Sequence, residues 1–335
     1  THRGIVVAGR AGVAASQPLA VSAALQILAR GGSCVDAAIT ASAVLSVVEP
    51  WNSHLGGDVF CIHHHASTRT NMAFNGSGEA PHGATDAAFP GGIPLHGCQS
   101  ATIPGLVSTW FAIHEEFGLL PMEELLAPAI EYAEEGFPAN SGFVRRINHH
   151  VKLYPDTKLF ETLGISTSLE PGDLVRQPDL AQSLKEISAE GRSAFYQGDI
   201  AAKLIASTQG WFSQNDLDQH RTRVVPPLSV RYRDYFVHGQ PPPSQGMILL
   251  EELRIAEGTD LASLSEADRI HLMVEAKKLA FADRYRILGD PEHVDVNVAD
   301  ILGDSHIAKR RAEIDLDKAN DQPVSHNQEG SDTTY

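Results

Sequence analysis

From Val35 to Val48 the chain is apolar on nearly every side of a helix, and Pro50 ends the run. A helix with no polar face must be covered all round, so this segment predicts a buried core helix with other elements built about it. Ser33 stands where it can cap that helix, with Asp36 three residues on, the spacing of a reciprocal cap. Upstream, Ser16 to Arg30 carries Leu19, Val21, Ala24, Leu25 and Leu28 at helical spacing, and Gly31-Gly32 supplies a left-handed stop.

Further along, Val59 to His64 and Asn71 to Phe74 read as the two strands of a hairpin beside Gly56-Gly57. Helices are expected from Pro121 through Glu134 with Gly136 behind, and over Leu180–Ser188, Ile200–Ser207 and Met247–Leu253. Val224 to Val237 has strand character broken by Pro226-Pro227. The longest helix is expected over Glu266–Ile287 with Ser265 as cap, and Ile270, Met273, Val274, Phe281 and Tyr285 lie along one apolar stripe. No internal repeat and no Gly/Ser linker divides the chain. The chain therefore reads as one domain, with a mobile tail from about Lys318 to Tyr335 where apolar periodicity is lost.

Composition excludes several function classes. With 42% hydrophobic and 20% charged residues over 335 positions, the chain belongs with soluble globular proteins. Its formal charge of -16 argues against nucleic acid as a partner, because binding a polyanion needs dense Lys and Arg. No apolar run reaches the roughly 18 residues of a membrane span, and Thr1-His2-Arg3-Gly4 does not open a charged-then-apolar segment, so neither a membrane span nor a retained signal peptide is expected. Three cysteines, Cys34, Cys61 and Cys98, lack a pairing pattern and read as buried thiols of a reducing compartment such as the cytoplasm. A removed leader would instead place the protein in the periplasm or outside the cell.

The end of the chain has its own signal. Thr333-Thr334-Tyr335 follows an acidic, Gly/Asn/Ser-rich stretch, Asn327 to Asp332, that looks made to be cut. A threonine is a weak nucleophile at neutral pH, and cleavage before it frees an α-amine that serves as its base. Other segments complete a pattern: Gly31-Gly32-Ser33-Cys34-Val35-Asp36-Ala37-Ala38, His54-Leu55-Gly56-Gly57-Asp58-Val59-Phe60, Ile103-Pro104-Gly105, Pro241 to Gly246, Ala276 to Arg284 and Gly289-Asp290-Pro291. In this order the segments resemble the large subunit of the γ-glutamyltranspeptidase family, self-cleaving N-terminal nucleophile hydrolases. The first is similar to the family's GGNAVDAA and the second to its NLGGGGF.

The resemblance implies an α+β fold, a four-layer αββα sandwich completed by a small subunit cut from the same precursor. It implies cleavage between Asp332 and Thr333, residues 333–335 as the start of the small subunit, and Thr333 as nucleophile, with Thr334 as the fallback. It also implies a small-molecule amide substrate and chemistry needing no metal and no organic cofactor. An uncut precursor acting as a silent scaffold is the reading from a different class.

One segment departs from the pattern. Family members acting on γ-glutamyl groups carry an arginine in a motif like FRE-x-AP, where a guanidinium pairs with a carboxylate through two parallel hydrogen bonds. Here the run is Phe74-Asn75-Gly76-Ser77-Gly78-Glu79-Ala80-Pro81, longer and without arginine, and Arg69 in the hairpin turn is poorly spaced to replace it. Asn75, Gly76, Ser77 and Glu79 are therefore the candidate substrate-binding residues, with a plain turn as the competing reading. Glu79 would repel a glutamyl α-carboxylate unless it points away. The expected substrate is an amide other than a γ-glutamyl peptide, oxamate-like or of the acylase type, with an ordinary glutathione hydrolase or transpeptidase as alternative. His63-His64-His65 does not read as a metal site, since neighbours in a strand face opposite ways, and a solvent-exposed hairpin is expected instead.

Overall fold

The computed structural model describes residues 5–154 and 159–321. Helices α1 (Pro18–Ala29) and α2 (Cys34–Val48) are joined at Gly31, whose φ of 95° is the left-handed geometry the sequence calls for. The expected cap on α2 is reciprocal, Asp36 N–H donating to Ser33 Oγ at 3.1 Å and Ser33 N–H to Asp36 Oδ2 at 2.8 Å. Asp36 is fully buried and also accepts from the Leu119 and Leu120 amides at 3.1–3.3 Å, so one carboxylate caps α2 and fastens a distant loop to it. Eleven of the 15 residues of α2 are buried, as all-round apolarity requires.

Strands β1 (Phe60–His65) and β2 (Thr70–Asn75) form the expected antiparallel hairpin, with Phe60 opposite Asn75 and His65 opposite Thr70. Then come α3 (Leu106–Phe117), α4 (Met122–Glu134), β3 (Phe137–Pro138), α5 (Ser141–Leu153), α6 (Leu159–Thr162) and β4 (Leu174–Val175). They are followed by α7 (Pro178–Glu190), α8 (Arg192–Tyr196), α9 (Asp199–Ser207) and α10 (Gln214–Gln219). β5 (Arg223–Val225) adds to the hairpin beyond β2, and Pro226-Pro227 separates it from a second hairpin, β6 (Leu228–Tyr232) with β7 (Tyr235–Gly239). Last are α11 (Gly246–Ala256), α12 (Glu266–Ile287), α13 (Val298–Ile301) and α14 (Asp304–Ala312). Among the described residues the strands form one three-stranded sheet, β1-β2-β5, and two pairs. These are too few for two stacked sheets.

The buried apolar side chains fall into unequal groups. The large one runs from Ala20 to Leu217, centred on α2 and drawing on α1, α3, α4, α5, α7 and α8. Two small ones, around Met247 with Ala280 and around Ile255 with Leu279, hold α11, α12 and α14 together.

Three expectations are corrected. The stripe on α12 is only partly covered among the described residues: Phe281 packs against the core, but Ile270, Met273, Val274 and Tyr285 are 44–57% exposed, while Leu272, Ala276, Leu279 and Ala280 make the packed face. Periodicity locates an apolar face but not what lies over it. The cysteines are free but not buried, Cys34 being exposed at the start of α2 and Cys61 and Cys98 half-buried. The triple-histidine hairpin is not wholly solvated either, because His63 is buried against Phe117 with ring centroids 4.1 Å apart. His64 faces the other way and bonds Asn71 at 2.8 Å, the alternation that spoils a three-histidine metal site. The tail expected from residue 318 extends beyond the described residues after Asp321.

Candidate functional site

The run from Asn75 leaves the end of β2 and is pressed against two other segments, Gly56–Asp58 and Ile103–Leu106, by main-chain contact. Gly76 N–H donates to Val59 O at 2.9 Å, Ile103 N–H to Glu79 O at 3.0 Å, and Gly105 and Leu106 N–H both donate to Gly57 O at 2.9–3.1 Å. There is no room for side chains between these backbones. A β-carbon on Gly78 would lie 1.5 Å from Ile103 O, one on Gly105 1.9 Å from Gly76 O, and one on Gly76 2.0 Å from Thr109 Oγ1. The glycines thus serve close approach, and the segments Gly56-Gly57 and Ile103-Pro104-Gly105 meet in space around the candidate loop.

Hydroxyls support the stack from beneath. Buried Tyr196 donates to Pro104 O at 2.7 Å and accepts from Ser108 N–H at 3.1 Å, while Thr222 bonds both Ser108 and Thr109 at 3.0 Å. Farther along the loop, Asp216 takes the His82 backbone N–H at 2.9 Å and also contacts the His82 ring. Burial pushes the Asp216 carboxyl up, but bonds from Ser213 and His82 outweigh it and hold it at about 2.

Asn75 is buried, and its Oδ1 accepts from Ser77 N–H at 2.9 Å and Ser77 Oγ at 2.7 Å. That is an Asx turn, so the plain-turn reading accounts for both residues. Glu79 does turn aside. Its carboxylate lies 3.5 Å from Arg223, which stands on β5 directly opposite Asn75, and directly opposed residues share one face of the sheet. A neighbouring strand thus sets an arginine beside the loop. Arg223 also meets Asp290 at 2.9 and 3.2 Å and Glu292 at 3.2 Å, so one cation stands among three carboxylates. Sequence reading missed this cluster, although it had singled out Gly289-Asp290-Pro291. Arg69 remains in the hairpin turn, with φ of 53°.

Asp58 adds a titratable group. Gly78 N–H approaches its Oδ1 at 3.4 Å, and crowding by surrounding protein raises the carboxyl to about 6, with the Gly78 bond opposing. A cavity of about 550 Å³ opens beside it, walled by Cys34, Ala38, Ser42, Val59 and Leu106. Asp332, Thr333 and Thr334 lie outside the described residues.

Elsewhere, Glu251, Asp283 and His306 place ligand-type atoms within 4.8 Å of one another. Both Asp283 oxygens are already held by Arg310 at 2.7 and 2.8 Å, and Arg286 joins at 2.7 Å. Burial, and then Asp283 itself, raise the Glu251 carboxyl. Asp283 is thus held by cations from α12 and α14, and the group is a strut between α11, α12 and α14.

Comparison with known proteins gives one consistent result. The Gamma-glutamyltranspeptidase family pattern matches residues 20–335. The Glutathione hydrolase-like YwrD proenzyme of Bacillus subtilis (strain 168) is 36% identical over 95% of this chain and 62% of its own length. Among solved structures, the γ-glutamyltranspeptidase of Helicobacter pylori superposes with a TM-score of 0.89 at 27% identity, covering 98% of this chain and 100% of that one. A cephalosporin acylase from Bacillus halodurans gives 0.85 at 30% identity, over 94% of this chain and 63% of that one. The chain spans about three-fifths of the length of the curated relatives it matches first, at 62% and 60%.

Proposed function

This chain belongs to the γ-glutamyltranspeptidase family and has the α+β fold of the N-terminal nucleophile hydrolases; from that premise we propose that it is the large-subunit part of a self-cleaving amide hydrolase. The observation that carries the proposal is that the family match runs through residue 335 and so takes in Thr333. Residues 1–332 form the large subunit and residues 333–335 begin the small one. In self-cleavage, Thr333 Oγ attacks the carbonyl carbon of Asp332. The peptide C–N bond breaks as an ester forms, and water then hydrolyses the ester, leaving a carboxylate on Asp332 and a free amine on Thr333. That amine takes the proton from Thr333 Oγ when the hydroxyl attacks a substrate amide. The leaving amine departs with a proton, and water or an acceptor amine releases the acyl group.

The substrate is an amide without a γ-glutamyl head group, oxamate-like or of the type the cephalosporin acylase neighbour suggests. Support comes from charge: Arg223 is outnumbered by Glu79, Asp290 and Glu292, so another carboxylate arriving beside them meets net repulsion. Arg223 itself favours a second reading, an ordinary γ-glutamyl hydrolase, because it returns a guanidinium to the loop. Thr333→Ala is expected to abolish both self-cleavage, seen by intact mass, and amide hydrolysis. Normal processing in that variant would sink the assignment, and loss of processing in Thr334→Ala alone would move the nucleophile one position. For substrate, the processed wild-type protein is expected to turn over acyl amides, oxamate included, faster than glutathione; a tenfold preference for glutathione selects the second reading.

A further inference from the structure

Helix α5 carries Arg145, Arg146, His149 and Lys152 and no acidic residue, in a chain whose formal charge is -16. A solvated helix commonly answers its cations with acids three or four positions away. Here, among the described residues, Arg145, Arg146 and Lys152 make no ion pair. They stand on a concave surface, one wall of a groove of about 900 Å³ whose opposite wall is the start of α1 and the end of α2. A cleft lined by one sign of charge concentrates its field and draws in counter-charged ligands. Glu49 is the one acid in the lining, and its Oε2 is already engaged by Ser16 Oγ at 2.8 Å and Asn52 Nδ2 at 3.2 Å.

The rest of the lining narrows the ligand. Arg145 and Lys152 share a helix face and lie about 10 Å apart along the axis, the reach of three or four residues of extended peptide at about 3.3 Å each. Between them stands Asn148, exposed and without a hydrogen bond among the described residues. Its amide offers a donor and an acceptor, as a peptide bond needs and a simple anion does not. Trp51, packed edge-on to Phe143 at 5.0 Å, gives an apolar wall against which methylene groups can lie.

We propose that this groove binds an acidic peptide segment, with Arg145, Arg146 and Lys152 pairing with its carboxylates and Asn148 with its backbone. The test is calorimetric titration of the full-length protein with hexa-aspartate at low salt. Binding is expected, and serine at Arg145, Arg146 and Lys152 together should weaken it at least tenfold. Serine at Lys203, Arg269 and Lys309 removes the same charge from other helices and should weaken it less than threefold. As an independent readout, the ligand should change tryptophan fluorescence in the wild type but not in Trp51→Phe. Equal losses in the two triple variants would show unspecific attraction and overturn the proposal. Binding of tripolyphosphate with none of hexa-aspartate would overturn it as well.

Discussion

Arg223 reaches Glu79 from 144 positions away in sequence, which is why a residue-by-residue reading of the loop finds no cation in it. What decides the contact is the register that sets Asn75 against Arg223, and register is a property of two strands together. The turn chemistry of Asn75 was legible because it acts locally, whereas Gly76, Gly78 and Gly105 are required by contacts with segments distant in sequence. Asp58 was visible only as part of a glycine motif, since its altered acidity comes from neighbours brought in by folding. With a carboxyl at about 6 in the fold against 3.8 unfolded, the native state holds this proton more tightly. Stability from that source is therefore fully present below pH 3.8, is lost as pH rises to 6, and stays lost above. Asp58→Asn should flatten this part of the profile and raise the melting temperature at pH 8. Scans from pH 3.5 to 8 on both proteins check this, and parallel curves would show that Asp58 is freely hydrated.

At the level of elements, α2 and α12 mark the range of what a pattern can say. All-round apolarity fixed the fate of α2, because no orientation would leave it a wet face, and its Ser33 cap is as local as a signal can be. Ile39 on α2 is 2% exposed. A carboxylate there would be an unpaired buried ion costing about 3–5 kcal/mol, so Ile39→Asp is expected to yield little soluble, processed protein; normal yield with an unchanged melting temperature would mean the helix is not enclosed. For α12 the helix and its Ser265 cap were equally readable, yet most of the stripe faced outward. The inner face includes Glu275 and Asp283, both buried and charged, residues that a hydrophobic pattern counts as outward. Asp283 is inward because Arg310, from α14, is there to meet it.

Across the whole molecule, α12 is notable for the apolar side chains it leaves exposed, Ile270, Met273 and Val274 among them. Exposed apolar area of that kind marks an interaction surface, and under the proposed function its occupant is the small subunit. Met273→Glu combined with Val274→Glu should leave far-ultraviolet circular dichroism unchanged while sharply lowering the yield of assembled two-chain protein on size exclusion. Full assembly would place the subunit junction on another face. The uneven division of the core also bears on the order in which the molecule is made. All of the large apolar group lies before Thr222, whereas the candidate loop's ladder is closed by β5 and Arg223 is held by Asp290. On a ribosome adding about 5–20 residues per second, the N-terminal body can collapse several seconds before Asp290 has been added. Synthesis thus finishes the scaffold first and sets the charged fittings around the loop last.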